Sequence, residues 1–271
     1  MISFKEHHTY GPGFFQDRCP AQPKHIDVYY DLAVKDCTKE NANRQIAMLL
    51  EPKSMIKDAY LFVGAHPDYF RYIFTHDSFL LQFDHARELN WGNVWLTTDS
   101  PKTKGISICT SYKNWCPLHY ARLEIAKWYE DLPEVDVFYG EWNDNKPTYE
   151  AKDYLEHYKF SIIIENDIDD YWYTEKILNC FATKTIPIYV GARKIDERFN
   201  PIGIIQVKDW NDIYSVVKQL YKTGLDTFYY DETIQEAIED NFYRVVPYKI
   251  SWKDRFLHDY GTLLEGMMNE C

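Results

Sequence analysis

Residues Phe160 to Gly191 read F-S-I-I-I-E-N-D-I-D-D-Y-W-Y-T-E-K-I-L-N-C-F-A-T-K-T-I-P-I-Y-V-G. No other stretch restricts the fold of this chain as closely. The apolar run Ser161 to Ile164 is too short for a helix and rich in β-branched residues, so it predicts a strand covered on both faces of a parallel sheet. Glu165 and Asn166 fall at its carboxyl end. Thr174 is placed to cap a helix, with Glu175 and Lys176 in its first turn. Ile177, Cys180 and Phe181 repeat at the spacing of one buried helical face. The chain turns at Thr183 to Thr185 into a second strand, Ile186 to Val190, which stops at Gly191. Ligands of open parallel α/β sheets bind beyond the carboxyl ends of strands, where helix N-termini offer N–H groups to phosphate. Lys176 lies at that edge. The plainer reading stays open: an ordinary βαβ crossover in which Glu175 complements the helix dipole and Lys176 is solvated.

The motif set of this segment is Glu165-Asn166, Thr174-Glu175-Lys176 and Ile186-Pro187-Ile188-Tyr189-Val190-Gly191. It resembles the donor-binding signature of glycosyltransferase family 10, the α1,3/4-fucosyltransferases. The later F-N-P-I-G-I-I-Q-V-K-D-W, Phe199 to Trp210, resembles the continuation of that signature. The resemblance implies a GT-B type α/β fold, two facing Rossmann-like domains with parallel sheets. On that reading residues 1–105 form an acceptor-binding domain and residues 106–271 a nucleotide-sugar domain, with the last helix returning to pack on the first.

The rest of the chain accommodates this plan. At 271 residues, 45% hydrophobic and 17% aromatic, it is long enough for one large core or two moderate ones. A net charge of -12 argues against a nucleic-acid partner, which needs a basic footprint. An anionic ligand must then meet locally clustered cations. The start, M-I-S-F-K-E-H-H, has no apolar signal core, and no run approaches the ~18 apolar residues of a membrane helix. Cys19, Cys37, Cys109, Cys116, Cys180 and Cys271 include no C-x-x-C pair and read as reduced thiols. Animal relatives in the family carry a membrane anchor and a luminal domain. This sequence shows neither, which leads to the expectation of a cytoplasmic enzyme of bacterial or viral type, or of a trimmed piece of a longer protein.

The first thirty residues read as loop, with Gly11-Pro12-Gly13 and Cys19-Pro20 as breakers, up to a strand at His25 to Tyr30. Gln45 to Leu50 reads as a strand ending at Glu51-Pro52, and Tyr60 to Val63 and Tyr72 to Thr75 as short strands. The polar segment Asp99 to Gly105 reads as the domain junction, followed by a strand at Ile106 to Thr110. A helix over Leu118 to Leu132 and a strand at Val135 to Tyr139 come next. Strands and helices alternate to Trp210, as in a doubly wound sheet. Helices are expected at Ile213 to Leu220, Thr233 to Tyr243 and Lys253 to Leu264.

Transfer of a sugar from a nucleotide donor needs a base for the acceptor hydroxyl and cations for the departing diphosphate. L-L-E-P resembles the family's strand followed by Glu-(Ser)-Pro and so nominates Glu51 as general base of an inverting reaction, although the residue between Glu and Pro is missing here. Ser111 followed by H-Y-A-R-L-E-I resembles the family's strand and Arg-bearing helix. It nominates Arg122 as a diphosphate ligand, against the alternative of a surface cation paired with Glu124 or Asp131. By the same resemblance Lys176 completes the clamp, Glu175 bonds ribose hydroxyls and Asn166 lies near the sugar or diphosphate. Relatives carry Tyr three residues before the Glu of Thr-Glu-Lys. Trp172 stands there in this chain, flanked by Tyr171 and Tyr173, and Trp172 and Tyr173 are assigned to donor binding. An indole stacks well but only donates a hydrogen bond.

The implied donor is GDP-fucose, with UDP-xylose or another UDP-sugar as the alternative, and the implied acceptor an oligosaccharide or glycoconjugate, with no metal or other cofactor required. Two further readings remain. Asp167-Ile168-Asp169-Asp170 contains a D-x-D of the kind that holds a divalent cation under a diphosphate. A glycan-binding protein without catalysis is the other, its 23 tyrosines and 8 tryptophans supplying stacking surfaces. The nine histidines show no metal-ligand spacing, and only His119, one turn before Arg122, is placed to touch acceptor or phosphate.

Overall fold

The structure, a computed structural model, describes residues 2–8, 25–90, 92–140 and 149–270. The chain divides into two compact units. The first comprises Met1–Trp91, Asp170–Trp172 and Ile250–Cys271; the second comprises Gly92–Asp169 and Tyr173–Lys249. The expected junction after Gly105 therefore moves upstream. Asp99–Thr103 already belong to the second unit, and Gly105 lies inside a strand. The breakers Gly11-Pro12-Gly13 and Cys19-Pro20, like Cys19 and Cys271, lie outside the described residues; Cys37, Cys109, Cys116 and Cys180 are free thiols.

Among the described residues of the first unit, five parallel strands lie in sequence order: β1 (Phe4–His7), β2 (Ile26–Tyr30), β3 (Gln45–Met48), β4 (Tyr72–Thr75) and β5 (Ala86–Glu88). Right-handed crossovers in a sheet of sequential order all fall on one face. That face is covered by α1 (Lys53–Ala65), whose Ile56, Ala59, Tyr60 and Val63 pack with Tyr29, Ala47, Leu49 and Ile73. The other face would be left bare. Phe4, Ile26, Val28, Tyr30, Ile46, Met48 and Phe74 point there, and the C-terminal helix Trp252–Glu270 covers them with Trp252, Phe256, Leu264 and Met267. Two expectations are corrected here. Phe4–His7 is a strand, not loop, paired with Ile26–Tyr29. Tyr60–Val63 is helical, because its buried residues continue the i, i+3, i+4 face that begins at Ile56, a pattern that four apolar residues alone cannot display.

The second unit has the order β7-β6-β8-β9-β10, all parallel. Its strands are β6 (Lys104–Thr110), β7 (Val135–Tyr139), β8 (Tyr158–Ile164), β9 (Ile186–Val190) and β10 (Ile205–Gln206). Its helices are α2 (Pro117–Tyr129), α3 (Ala151–Leu155), α4 (Glu175–Ala182), α5 (Ile213–Thr223), α6 (Leu225–Tyr229) and α7 (Glu232–Arg244). Strand β8 is buried at every position, as its β-branched run requires. Ile106, Ile108, Phe160, Ile162, Ile164, Ile186 and Ile188 pack with α2 and α5, while Ile163 and Tyr189 face α4 on the other side. This order reverses direction between β6 and β8. Connections from those two strands leave to opposite sides there, which opens a crevice beyond their carboxyl ends.

Candidate functional site

The crevice at β6 and β8 is organised by Arg122, which is 8% exposed on the second turn of α2. Its Nε donates to the Ile164 carbonyl at 3.0 Å, and Nη2 donates both to that carbonyl and to Asn166 Oδ1, the latter at 3.1 Å. The guanidinium thus binds the last carbonyl of β8 and the side chain just beyond it. Burial lowers its pKa from the ordinary arginine value, opposed by Glu165, but a guanidinium keeps its proton. His119 adds a second donor. The Trp115 N–H donates to His119 Nδ1 at 3.2 Å, so the ring proton sits on Nε2, which donates to Asn166 Oδ1 at 3.0 Å. Burial and the nearby Arg122 push the His119 pKa down to about 4, leaving the ring neutral at pH 7. Arg122 and His119 together fix the orientation of the Asn166 amide.

Glu165, fully buried, is the other half of this hub. Its carboxylate accepts from the Thr174 N–H at 2.9 Å, from the Thr174 hydroxyl and from Lys176 Nζ at 3.2 Å. It therefore sits as an anion at the N-terminus of α4, where the helix dipole favours negative charge. Thr174 caps α4 by accepting from the Lys176 N–H at 3.4 Å. Lys176 Nζ also reaches Thr174 Oγ1 at 3.0 Å and Glu175 Oε1 at 3.5 Å, and its side chain remains 25% exposed. Burial opposes its charge, but Glu165 and Glu175 outweigh that and hold the pKa above the ordinary lysine value. Gly191 makes room for this arrangement: a Cβ there would meet Glu165 Cγ at 2.7 Å and the Tyr189 hydroxyl closer still.

Arg122, Asn166, Glu175 and Lys176 are thus brought together. The spacing of the sequence did not single out Glu165 for a role, and no periodicity could have done so, since its partners arrive from α4. Lys176 is already paired with Glu165 and Glu175, while Arg122 is held by the neutral Ile164 carbonyl and Asn166 amide; the two carboxylates balance the two cations in formal charge. Trp172 and Tyr173 have buried side chains. Trp172 is 1% exposed and belongs to the first unit, where its indole N–H donates to the Leu50 carbonyl at 3.2 Å. Tyr173 is buried in the second unit, its hydroxyl 2.6 Å from that of Tyr248. Neither ring offers a face for stacking on a base. Glu51 is half-buried in the first unit, three residues beyond the end of β3 and just before Pro52, the N-cap of α1. In the D-x-D loop, Asp167 Oδ1 accepts from the Ile168 N–H at 2.9 Å. Among the described residues no group of three or more His, Cys, Asp or Glu side chains is arranged to hold a metal ion.

Two parallel α/β sheets, one wound about a switch point whose carboxyl edge gathers an arginine and a lysine, define a GT-B type fold. Solved structures agree at the level of fold. An α1,3-fucosyltransferase crystal structure aligns with a TM-score of 0.55 at 17% identity, covering 88% of this chain and 78% of that one. The pneumococcal O-GlcNAc transferase GtfA in complex with UDP and GlcNAc aligns at 0.53 and 10% identity, covering 89% and 57%. Residues 100–234 match the model of glycosyltransferase family 10 (fucosyltransferase), C-terminal. Among curated relatives, the α-(1,3)-fucosyltransferase FucT of Helicobacter pylori is 30% identical over 91 residues, 34% of this chain and 17% of that protein. A putative fucosyltransferase-like protein of Arabidopsis thaliana is 25% identical over 118 residues, 42% and 23% respectively. The chain spans less than a quarter of the length of these curated relatives. No helix among the described residues is long and apolar enough to cross a membrane.

Proposed function

We propose that this chain is an inverting glycosyltransferase that moves a sugar, with GDP-fucose as the first-ranked donor, to a hydroxyl of an acceptor glycan. The observation that carries this reading is the convergence of Arg122 and Lys176 on Glu165-Asn166 at the switch point of the region that matches the family 10 model. The second unit binds the donor and the first the acceptor. Glu51 takes the proton of the acceptor hydroxyl as its oxygen attacks the anomeric carbon. The bond to the diphosphate breaks on the opposite face, and its electrons leave with the phosphate oxygen. Lys176 and Arg122 meet the charge that develops there, Lys176 exchanging its long contact with Glu175 for a phosphate oxygen. Glu175 then turns to the ribose, and Asn166, oriented by His119 and Arg122, contacts the sugar or diphosphate. Trp172 and Tyr173 enter as packing supports.

Fucosyl transfer is supported by the family match and by a fucosyltransferase structure solved with GDP, which aligns at a TM-score of 0.50. The UDP held by the O-GlcNAc transferase neighbour supports a UDP-sugar as the second choice. Calorimetry with GDP and UDP tests the donor; tighter binding of UDP would move the donor class. Lys176→Ala weakens GDP binding by about 1–3 kcal/mol, the worth of a lost charged hydrogen bond. Glu51→Gln leaves GDP affinity intact and lowers transfer by about 10²- to 10⁴-fold. Transfer at the wild-type rate by Glu51→Gln would remove the base. EDTA leaves turnover unchanged; loss in EDTA, restored by manganese, would shift the reading to the Asp167-Asp169 loop.

A further inference from the structure

Glu51 lies past the end of its strand, where backbone groups have no ladder to join. The ladder reaches Met48, paired with Phe74, and ends as the Leu49 N–H donates to the Phe74 carbonyl at 2.9 Å. Among the polar backbone groups that follow are four, the N–H and C=O of Leu50 and of Glu51, that no strand serves. At a solvent-facing sheet edge water would serve for such groups. Here each of the four is met by a buried or half-buried side chain. Asp31 Oδ1 accepts from the Leu50 N–H at 2.8 Å and from the Glu51 N–H at 3.1 Å. The Trp172 indole donates to the Leu50 carbonyl at 3.2 Å, and the Tyr60 hydroxyl donates to the Glu51 carbonyl at 2.8 Å. Pro52, with φ of -74°, closes the segment without a donor of its own.

Peptide units are planar, so the Leu50–Glu51 plane is fixed from both sides and the Glu51–Pro52 plane by its carbonyl. The Cα–Cβ bond of Glu51 is thereby aimed. The holders are themselves held. Tyr60 has one proton, and it goes to the Glu51 carbonyl, which can only accept. His76 Nε2, 3.0 Å from the Tyr60 oxygen, must then be the donor in that contact. Burial keeps the His76 ring neutral, with a pKa pushed down to about 3. The ring lies 6.0 Å from that of Trp172, tilted by 51°. Asp31 sits in the left-handed region, with φ of 48°. This conformation is tolerated by Asp but uncommon outside glycine, and such strain persists where surrounding contacts over-determine it.

Three side chains from positions 31, 60 and 172 would be an unusual outlay for two residues of a loop. A base that must meet a hydroxyl in near-attack geometry needs such preorganisation, since errors of ~1 Å cost ~100-fold in rate. We infer that Asp31, Tyr60 and Trp172 are positioning residues that fix the direction of the Glu51 carboxylate, with His76 steadying Tyr60. The inference rests on the reading of Glu51 as general base.

The test is GDP release from GDP-fucose in water alone, a reaction that needs no acceptor and in which the base acts on a water molecule, alongside calorimetric GDP affinity and thermal melting. Tyr60→Phe removes one hydroxyl and keeps the ring packing. Its kcat is expected to fall about 10- to 100-fold with KM for GDP-fucose and GDP affinity unchanged. Asp31→Ala behaves alike. Asp31→Asn, whose amide oxygen can accept both N–H groups, recovers most of kcat, a rescue that a role through charge would not show. Wild-type kcat in both Tyr60→Phe and Asp31→Ala, with Glu51→Gln inactive, would overturn the positioning role and leave the base standing. An Asp31→Asn as inactive as Asp31→Ala would also overturn it, by making the charge of Asp31 the requirement. Full turnover by Glu51→Gln would instead remove the base itself. A wild-type protein that releases nucleotide from neither GDP-fucose nor UDP-sugars would overturn both.

Discussion

Glu51 and Glu165 both stand just beyond the carboxyl end of a buried strand, yet the fold treats them in opposite ways. Glu165 continues the ladder through its backbone, its N–H donating to the Val190 carbonyl at 2.9 Å, and its side chain is consumed by Thr174 and Lys176 inside the protein. At Glu51 the grip falls on the backbone, through Asp31, Trp172 and Tyr60. A carboxylate whose oxygens are fully engaged serves the architecture of a site. At Glu51 it is the main chain that the fold fixes, as the aim of a positioned base requires.

The largest expected effect separates the two directly. Glu165→Ala takes from the Lys176 ammonium its buried carboxylate, leaving it Glu175, and from the Thr174 N–H its acceptor, and should cost about 3 kcal/mol in chemical denaturation. Glu51→Gln should stay within about 0.5 kcal/mol of wild type. Equal losses in the two variants would erase the contrast. Next in size is Gly191→Ala, whose Cβ would press on Glu165 Cγ and the Tyr189 hydroxyl. The expected cost is about 1–3 kcal/mol, as for overpacking elsewhere, and a structure of the variant should show Glu165 displaced. A neutral Gly191→Ala would mean that the hub is looser than its contacts imply.

The smallest effect concerns pH. Burial raises the Asp31 pKa from its ordinary 3.8 to about 6, against the pull of the Leu50 and Glu51 N–H groups. A carboxyl whose folded pKa is raised stabilises the fold most fully below its unfolded pKa, and that contribution is lost as pH rises through the folded value. Asp31→Asn should therefore gain stability relative to wild type as pH climbs from 4 to 7. Asp31 is half-buried, so solvent screening trims the gain to about 1 kcal/mol. A difference independent of pH would place the Asp31 carboxyl in an ordinary solvated setting and weaken the case for a held Glu51 backbone.

Much of the second unit was legible because its signals are local. The β-branched run before Glu165, the cap at Thr174 and the apolar spacing of Ile177, Cys180 and Phe181 each report on neighbours within a few residues, and the strand, helix and strand they predict are present. Tyr60–Val63 misled for the same reason, since four apolar residues carry no period of their own. Trp172 shows another limit. Its place next to Thr174-Glu175-Lys176 suggested a stacking surface, but a ring's partners depend on where the chain has taken it, and here they are Leu50 and His76.

By itself the sequence determined the alternation of strands and helices, the capped turn that presents Lys176, and the acidic balance that requires cations to be gathered locally. Hydrogen bonding and hydrophobic periodicity act over one or two turns, so residue order suffices for these. Only the tertiary structure decided that Arg122 would meet a carbonyl 42 residues away, that Asp31 and Trp172 would close on Leu50, and that the C-terminal helix would cover the face left bare by five sequential strands. Such contacts follow from the strand order and the hand of the crossovers, which bring distant segments to one edge only after the sheets have formed.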